Sequence, residues 1–283
     1  LALKGLSIAE IVGKAGGFAV KKVLPSLRRE RKIDFVLAGG DAVTGGAGLG
    51  RNHAMYLRKL GVDVLLTGDC AFYKKDIVEH LERSSAALRP ANYPAAAPGR
   101  GFKCYETGSG RIGVAVFLGQ AGYPRTHLEN PFIMKDAVID RLRRDAKAVI
   151  IDFHAPATAE KRAFFAACDG AVSAVIGSHA RVATADAVVS ARGTATVTDA
   201  GRTGSMDSVG GLEPKARIGE YLTQIPDWSR DAWARTEFNA ILLEIDDEGR
   251  TVSMERITRP VEVPHEEIGD RDGADADAAQ DQA

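Results

Sequence analysis

Short apolar, β-branched runs punctuate this chain, and most of them stop at a glycine, a carboxylate or a histidine. Residues 6–12, 33–38, 62–67, 146–153 and 171–176 read as strands. Stretches of helical periodicity at 17–31, 49–60, 76–83 and 159–167 separate them. From residue 181 the pattern turns to short strands, with a helix at 214–222. It closes on strands at 238–245 and 252–257, joined through Asp247-Glu248-Gly249, a hairpin signal. Strand, helix, strand at this spacing predicts βαβ units early and antiparallel strands late. The expected product is an α/β fold with two mixed sheets face to face and helices outside. No internal repeat or linker interrupts residues 1–260, which read as one domain.

In open α/β sheets, ligands bind beyond the carboxyl ends of the strands. The five early strands are followed by Glu10, by Gly39-Gly40-Asp41, by Gly68-Asp69-Cys70, by Asp152-Phe153-His154 and by Gly177-Ser178-His179-Ala180-Arg181. Oxygen and imidazole donors gathered this way suit zinc, manganese or iron, and the set Asp69, His154 and His179 also suits phosphate. Singly, each residue has a plainer reading: a strand-end histidine can be structural, and Asp41 and Asp69 after glycine can form turns. His53 and His80 fall in helical patterns, His127 in a loop and His265 near the C-terminus, where surface or packing roles suffice. The glycine-rich 45–50 fits neither the dinucleotide fingerprint nor the Walker A loop, and reads as a flexible loop. Cys70 lacks the surroundings of a cysteine nucleophile.

Composition narrows the rest. Charged residues make up 27% and the net charge is −1, so no global basic field argues for DNA. Apolar residues make up 45%, yet no run approaches a membrane-spanning helix. Three cysteines without paired spacing argue against a disulfide framework or a zinc ribbon. Without a visible signal peptide, the cytoplasm is the expected location. Residues 261–283 carry eight acids against Arg271, a net of −7, which leaves about +6 on 1–260. A segment so poor in large apolar groups is expected to be disordered.

The order of motifs resembles the calcineurin-like metallophosphoesterases, and within them the bacterial YmdB-like branch that hydrolyses 2′,3′-cyclic nucleotides. The resemblance runs from about residue 7 to 260. It is carried by Arg89-Pro90-Ala91-Asn92-Tyr93-Pro94, Asp152-Phe153-His154-Ala155, Gly177-Ser178-His179, Thr184-Ala185-Asp186 and Thr198-Asp199-Ala200-Gly201-Arg202-Thr203-Gly204. It implies a four-layer α/β/β/α sandwich, a two-metal O/N site at the strand ends and a homo-oligomer.

Against the family pattern, the departures fall on the metal shell. Gly-Asp-x-x-Gly becomes Ala9-Glu10-Ile11-Val12-Gly13, which keeps a carboxylate. Asn-Gly-Glu-Asn-Ala becomes Ala38-Gly39-Gly40-Asp41-Ala42, so Gly40 stands where a bridging Glu is implied and Asp41 is the nearest replacement. Gly-Asn-His becomes Gly68-Asp69-Cys70, with Cys70 in the position of the catalytic His. Gly-Thr-His-Thr-His becomes Gly177-Ser178-His179-Ala180-Arg181, so Arg181 replaces the second His. By this resemblance one ion keeps Asp69, His154 and His179. The other half holds Glu10, Asp41 and Arg181, whose guanidinium is expected to neutralise the two acids and to grip phosphate. The cofactor expectation is therefore one divalent transition metal (Mn, Fe or Zn), with two or none as alternatives.

Two functional readings follow. In one, the chain is a catalytically impaired relative that binds one metal, a phosphate-containing small molecule or a nucleotide, or acts as a regulator or scaffold. In the other, it is an active metal-dependent phosphodiesterase. A two-metal mechanism needs a bridging ligand, and loss of a general acid costs about 10²–10⁴-fold.

Overall fold

The computed structural model describes residues 2–123, 127–227 and 229–264. The first half alternates as expected: β1 (Leu3–Ile8), β2 (Glu10–Ile11), α1 (Gly13–Arg31), β3 (Phe35–Gly39), α2 (Arg51–Lys59), β4 (Val64–Leu66), α3 (Asp76–Arg83) and β5 (Ala87–Leu88). A hairpin follows, β6 (Phe102–Thr107) and β7 (Gly110–Leu118), then α4 (Pro131–Arg143), β8 (Ala148–His154), α5 (Thr158–Cys168) and β9 (Ala174–Ser178). The chain continues through β10 (Val188–Val189), β11 (Ala195–Val197), β12 (Arg202–Ser205), α6 (Pro214–Thr223), β13 (Thr236–Ile245) and β14 (Thr251–Pro260).

Two mixed sheets result. The first runs β2-β12-β13-β1-β3-β4-β5, with β14 also paired to β13; the second runs β10-β11-β9-β8-β7-β6. Strands β1, β3, β4 and β5 are parallel, as are β7, β8, β9 and β11, so their carboxyl ends gather at one end of each sheet.

The alternation of side chains along each strand builds three cores. Phe35, Leu37 and Val64 meet Val114, Ile150 and Ile176 between the sheets. On the outer face of the first sheet, Val36, Ala38 and Leu65 pack on Val20 and Leu24 of α1, Leu57 of α2 and Ile77 of α3. Beyond the second sheet, Phe117, Ile151 and Phe153 pack on Val138 of α4 and Phe164 of α5. Layer by layer this is α/β/β/α, the expected sandwich.

Most element ends lie within about three residues of expectation, and three departures matter for the fold. The first strand is not one run over 6–12; it breaks at Ala9 into β1 and β2. Helix α1 starts at Gly13 rather than residue 17, because two of the glycines that make 13–17 look like a poor helix are required there, Gly13 by its φ of 58° and Gly16 by packing. A Cβ at Gly16 would stand 2.6 Å from the Thr203 carbonyl oxygen. At the far end, Val261 and Val263 pack against Ala15, Phe18 and Trp233, and Val261 N–H donates to the Thr236 carbonyl at 2.8 Å. Packing therefore extends past Pro260, while the expectation of disorder falls on 265–283, outside the described residues. No helix among the described residues is long and apolar enough to cross a membrane.

Candidate metal centre

Glu10 opens β2, Asp41 follows β3, Asp69 and Cys70 follow β4, His154 ends β8, and His179 and Arg181 follow β9. The topology brings all seven to the same end of the sandwich.

Three of them converge. Asp69 Oδ1 lies 2.9 Å from His154 Nε2 and 3.3 Å from His179 Nδ1, and the two nitrogens are 3.0 Å apart. Donor atoms that surround one ion at about 2.1 Å stand about 3.0–3.4 Å from one another, so this triangle fits a first-row divalent metal. The chain is shaped for the approach: a Cβ at Gly68 would fall 2.4 Å from His154 Nε2, so only glycine lets the imidazole reach the loop. Asp41 Oδ2 lies 3.8 Å from His154 Nε2.

Asp41 turns inward and is 2% exposed. Its carboxylate accepts the N–H groups of Gly68 at 2.6 Å and Cys70 at 3.0 Å, which fixes the loop that carries Asp69. Gly40 faces the other way: a Cβ there meets Leu66 O, Leu49 and Leu65 at 3.4–3.6 Å, on the outer core. The carboxylate of this loop has thus moved one residue along the chain.

Electrostatics separates the members. Burial raises Asp41, and burial together with the Asp41 charge raises Glu10 to about 8. Burial also opposes ionisation of Asp69, but hydrogen bonds from His154 and His179 outweigh it and hold that carboxyl well below its usual range. His154 shows the mirror image: burial lowers it, while Asp69, Asp41 and Glu10 raise it further, to about 9. Burial and the neighbouring acids push the Cys70 thiol far up, so it stays neutral and is no thiolate nucleophile. Its Sγ lies 3.7 Å from Asp69 Oδ2.

Glu10 is 3% exposed, and its Oε1 has no hydrogen-bond partner. A buried carboxylate oxygen without a donor is costly, and a cation placed against it removes that cost. Arg181 does not make the expected ion pair. Among the described residues its guanidinium donates to the carbonyl oxygens of Gly46 at 3.1 Å and Gly210 at 3.3 Å, although its charge still draws Glu10 downward. The glycine-rich 45–50 is one of the two loops so tied.

His179 and Arg181 both adopt positive φ, at 95° and 58°. Non-glycine residues held there store strain and need support. Asp199 supplies it by accepting the Ala180 N–H at 2.9 Å, and it is itself paired with the buried Lys161 at 3.0 Å. Arg202 donates to the Arg181 carbonyl at 2.7 Å. From the other side, the Tyr123 hydroxyl stands 3.3 Å from His179 Nδ1, with its ring edge-on to the imidazole. Tyr123 lies in a loop without periodicity and carries no sequence signal. Asp152 did carry one: two residues before His154 on a strand, it shares that histidine's face.

Comparison with known proteins agrees with this geometry. A family model described as YmdB-like protein matches residues 6–257. A 2′,3′-cyclic-nucleotide 2′-phosphodiesterase of Bacillus subtilis is 32% identical over 253 residues, which is 89% of this chain and 95% of that protein. A hypothetical protein from Thermus thermophilus, known as a crystal structure, superposes with a TM-score of 0.85 at 32% identity, covering 92% of this chain and all of that one. The crystal structure of a novel phosphatase from Mycoplasma pneumoniae superposes at 0.86 with 26% identity, covering 94% and 96%. With the sandwich, the converging donors and these relatives together, the chain belongs to the YmdB-like branch of the calcineurin-like metallophosphoesterases.

Proposed function

We propose that this chain binds one divalent transition metal (manganese, iron or zinc) through Asp69, His154 and His179, and takes a phosphate-containing small molecule or nucleotide beside it. It hydrolyses phosphodiesters weakly or not at all, and acts as a binding or regulatory relative of the family. The observation that carries this reading is the inequality of the two halves of the site. One offers three donors within 3.3 Å of each other; the other offers Glu10, with an orphaned oxygen and a raised pKa, Asp41, whose carboxylate is taken up by the Gly68 and Cys70 N–H groups, and a guanidinium. Bound at the triangle, a metal would supply Lewis acidity toward phosphoryl oxygens. Arg181 has five N–H donors and spends two of them on the Gly46 and Gly210 carbonyls, which supports its role as the phosphate-facing cation. Cys70, neutral and buried, is a poor proton donor in the position implied for a catalytic His.

A second reading, an active phosphodiesterase on cyclic nucleotides or related diesters, is favoured by the name of the B. subtilis relative and by its 95% coverage. Metal analysis of the purified chain, with hydrolysis of bis-p-nitrophenyl phosphate under added manganese, separates the two. One metal per chain with no turnover fits the first reading, and two metals with turnover establish the second. Residues 1–260 as one domain, with Val261 and Val263 packed on it, a cytoplasmic location and a homo-oligomer complete the proposal.

A further inference from the structure

Strands β8 and β9 are parallel neighbours, and their register sets His154 directly beside Ser178. Asp152, two residues earlier on β8, lies on the same face as His154. The three side chains form a chain of hydrogen bonds: Ser178 Oγ is 2.9 Å from Asp152 Oδ2 and 2.9 Å from His154 Nδ1. All three residues are at most 8% exposed, so water does not compete for these contacts.

A serine hydroxyl has one proton and two lone pairs. The Asp152 carboxylate can only accept, and leaving a buried carboxylate oxygen without a donor costs more than leaving a neutral nitrogen without one. The hydroxyl proton therefore goes to Asp152, and Ser178 Oγ is left as an acceptor facing His154 Nδ1.

We infer that Asp152 and Ser178 are positioning residues that hold a proton on His154 Nδ1 and fix the ring, so that Nε2, which faces Asp69 at 2.9 Å in the metal-free chain, is the nitrogen that turns to a metal once its own proton leaves. The inference rests on the triangle being a metal centre, and it adds the residues that prepare one of its ligands. An outer hydrogen bond to the free nitrogen of a ligating histidine orients the ring and raises its basicity, and its loss typically costs 10–100-fold in metal affinity. The carboxylate here acts at one remove, through a hydroxyl. In Asp152→Asn, an amide N–H can donate to Ser178 Oγ, and the hydroxyl proton is then free to turn toward Nδ1, where it opposes the Nδ1–H.

The test has two readouts on the full chain: Zn²⁺ affinity by chelator competition, and the hydrogen-bonded Nδ1–H resonance of His154, followed in metal-free and zinc-loaded protein. Ser178→Ala is expected to weaken zinc binding by about 10–100-fold and to lose that resonance to fast exchange. Asp152→Asn should weaken the resonance in the same way, and Ser178→Thr, which keeps a hydroxyl, should restore both readouts. Unchanged zinc affinity in Ser178→Ala overturns the inference. So does weaker affinity with an unchanged Nδ1–H resonance, since that marks Ser178 as packing alone. If the wild-type chain bound no zinc, the metal reading would fail, while the Nδ1–H resonance of the metal-free protein would still decide whether the hydrogen-bond chain works as stated.

Discussion

The two halves of the candidate centre were built from the same kinds of residues and ended in opposite conditions. At Asp69, His154 and His179, every donor faces another at 2.9–3.3 Å, and hydrogen bonds from the two histidines hold the Asp69 carboxyl ionised. At Glu10 and Arg181, acid and base share a neighbourhood without pairing. Glu10 keeps an orphaned oxygen, and Arg181 spends its donors on loop carbonyls. Convergence of side-chain types at one end of a fold is therefore not enough to make a site. The difference lies in whether the backbone lets donor atoms meet, as Gly68 does for His154, or aims the chain elsewhere, as at Gly40.

The comparison breaks most decisively by removing a member from each half. His154→Ala should abolish stoichiometric manganese or zinc, whereas Glu10→Ala should leave one metal per chain, both read by elemental analysis after dialysis. Loss of metal in both variants would make the halves equivalent.

A smaller effect should appear in pH. Glu10 is raised from 4.5 to about 8 in the folded chain. A group raised on folding contributes stability that is complete below its unfolded pKa and is lost as pH rises through the folded one. The window is therefore about pH 4.5 to 8. His154, raised from 6.5 to about 9, adds a loss of the same sign between those values. Metal-free protein should lose on the order of ten degrees of melting temperature between pH 5 and 8, and Glu10→Gln should flatten the acidic part of that fall. A profile identical in wild type and variant would show that Glu10 is not the titrating group.

Smaller still is a pair of glycine substitutions. Gly68→Ala drives a methyl to 2.4 Å from His154 Nε2, and overpacking of this kind costs about 1–3 kcal/mol. Gly40→Ala meets only ordinary contacts at 3.4–3.6 Å and should stay within about 0.5 kcal/mol. Equal denaturation midpoints for the two variants would remove the claim that the loops are shaped differently.

Much of this architecture is legible in the sequence because strand ends are marked by residue type. The β-branched runs at β8 and β9 announce buried parallel strands, and glycine followed by a carboxylate or histidine announces where they stop. The region between α3 and β8 is not read from periodicity. The hairpin of β6 and β7 and helix α4 lie there, even though Asn130 caps that helix by accepting the Phe132 N–H and Pro131 opens it, a signal present in the letters. In the site, the identities of Asp69, His154 and His179 follow from their places after strands. The aim of Arg181 does not, because it depends on loop carbonyls at Gly46 and Gly210 that are 135 and 29 residues away in the chain. Whether Asp41 turned inward also depended on the contacts of a loop that follows a different strand.

Arg181 carries a consequence for how the molecule meets its surroundings. A bound metal can be chelated, exchanged for a commoner one or lost when supply falls, and whatever it organises goes with it. A guanidinium is part of the polypeptide and keeps its charge throughout the physiological pH range. The loops at Gly46 and Gly210 are tied to that permanent cation, so their order is inherited at synthesis. Under metal starvation, one side of this centre would empty while the other kept its shape.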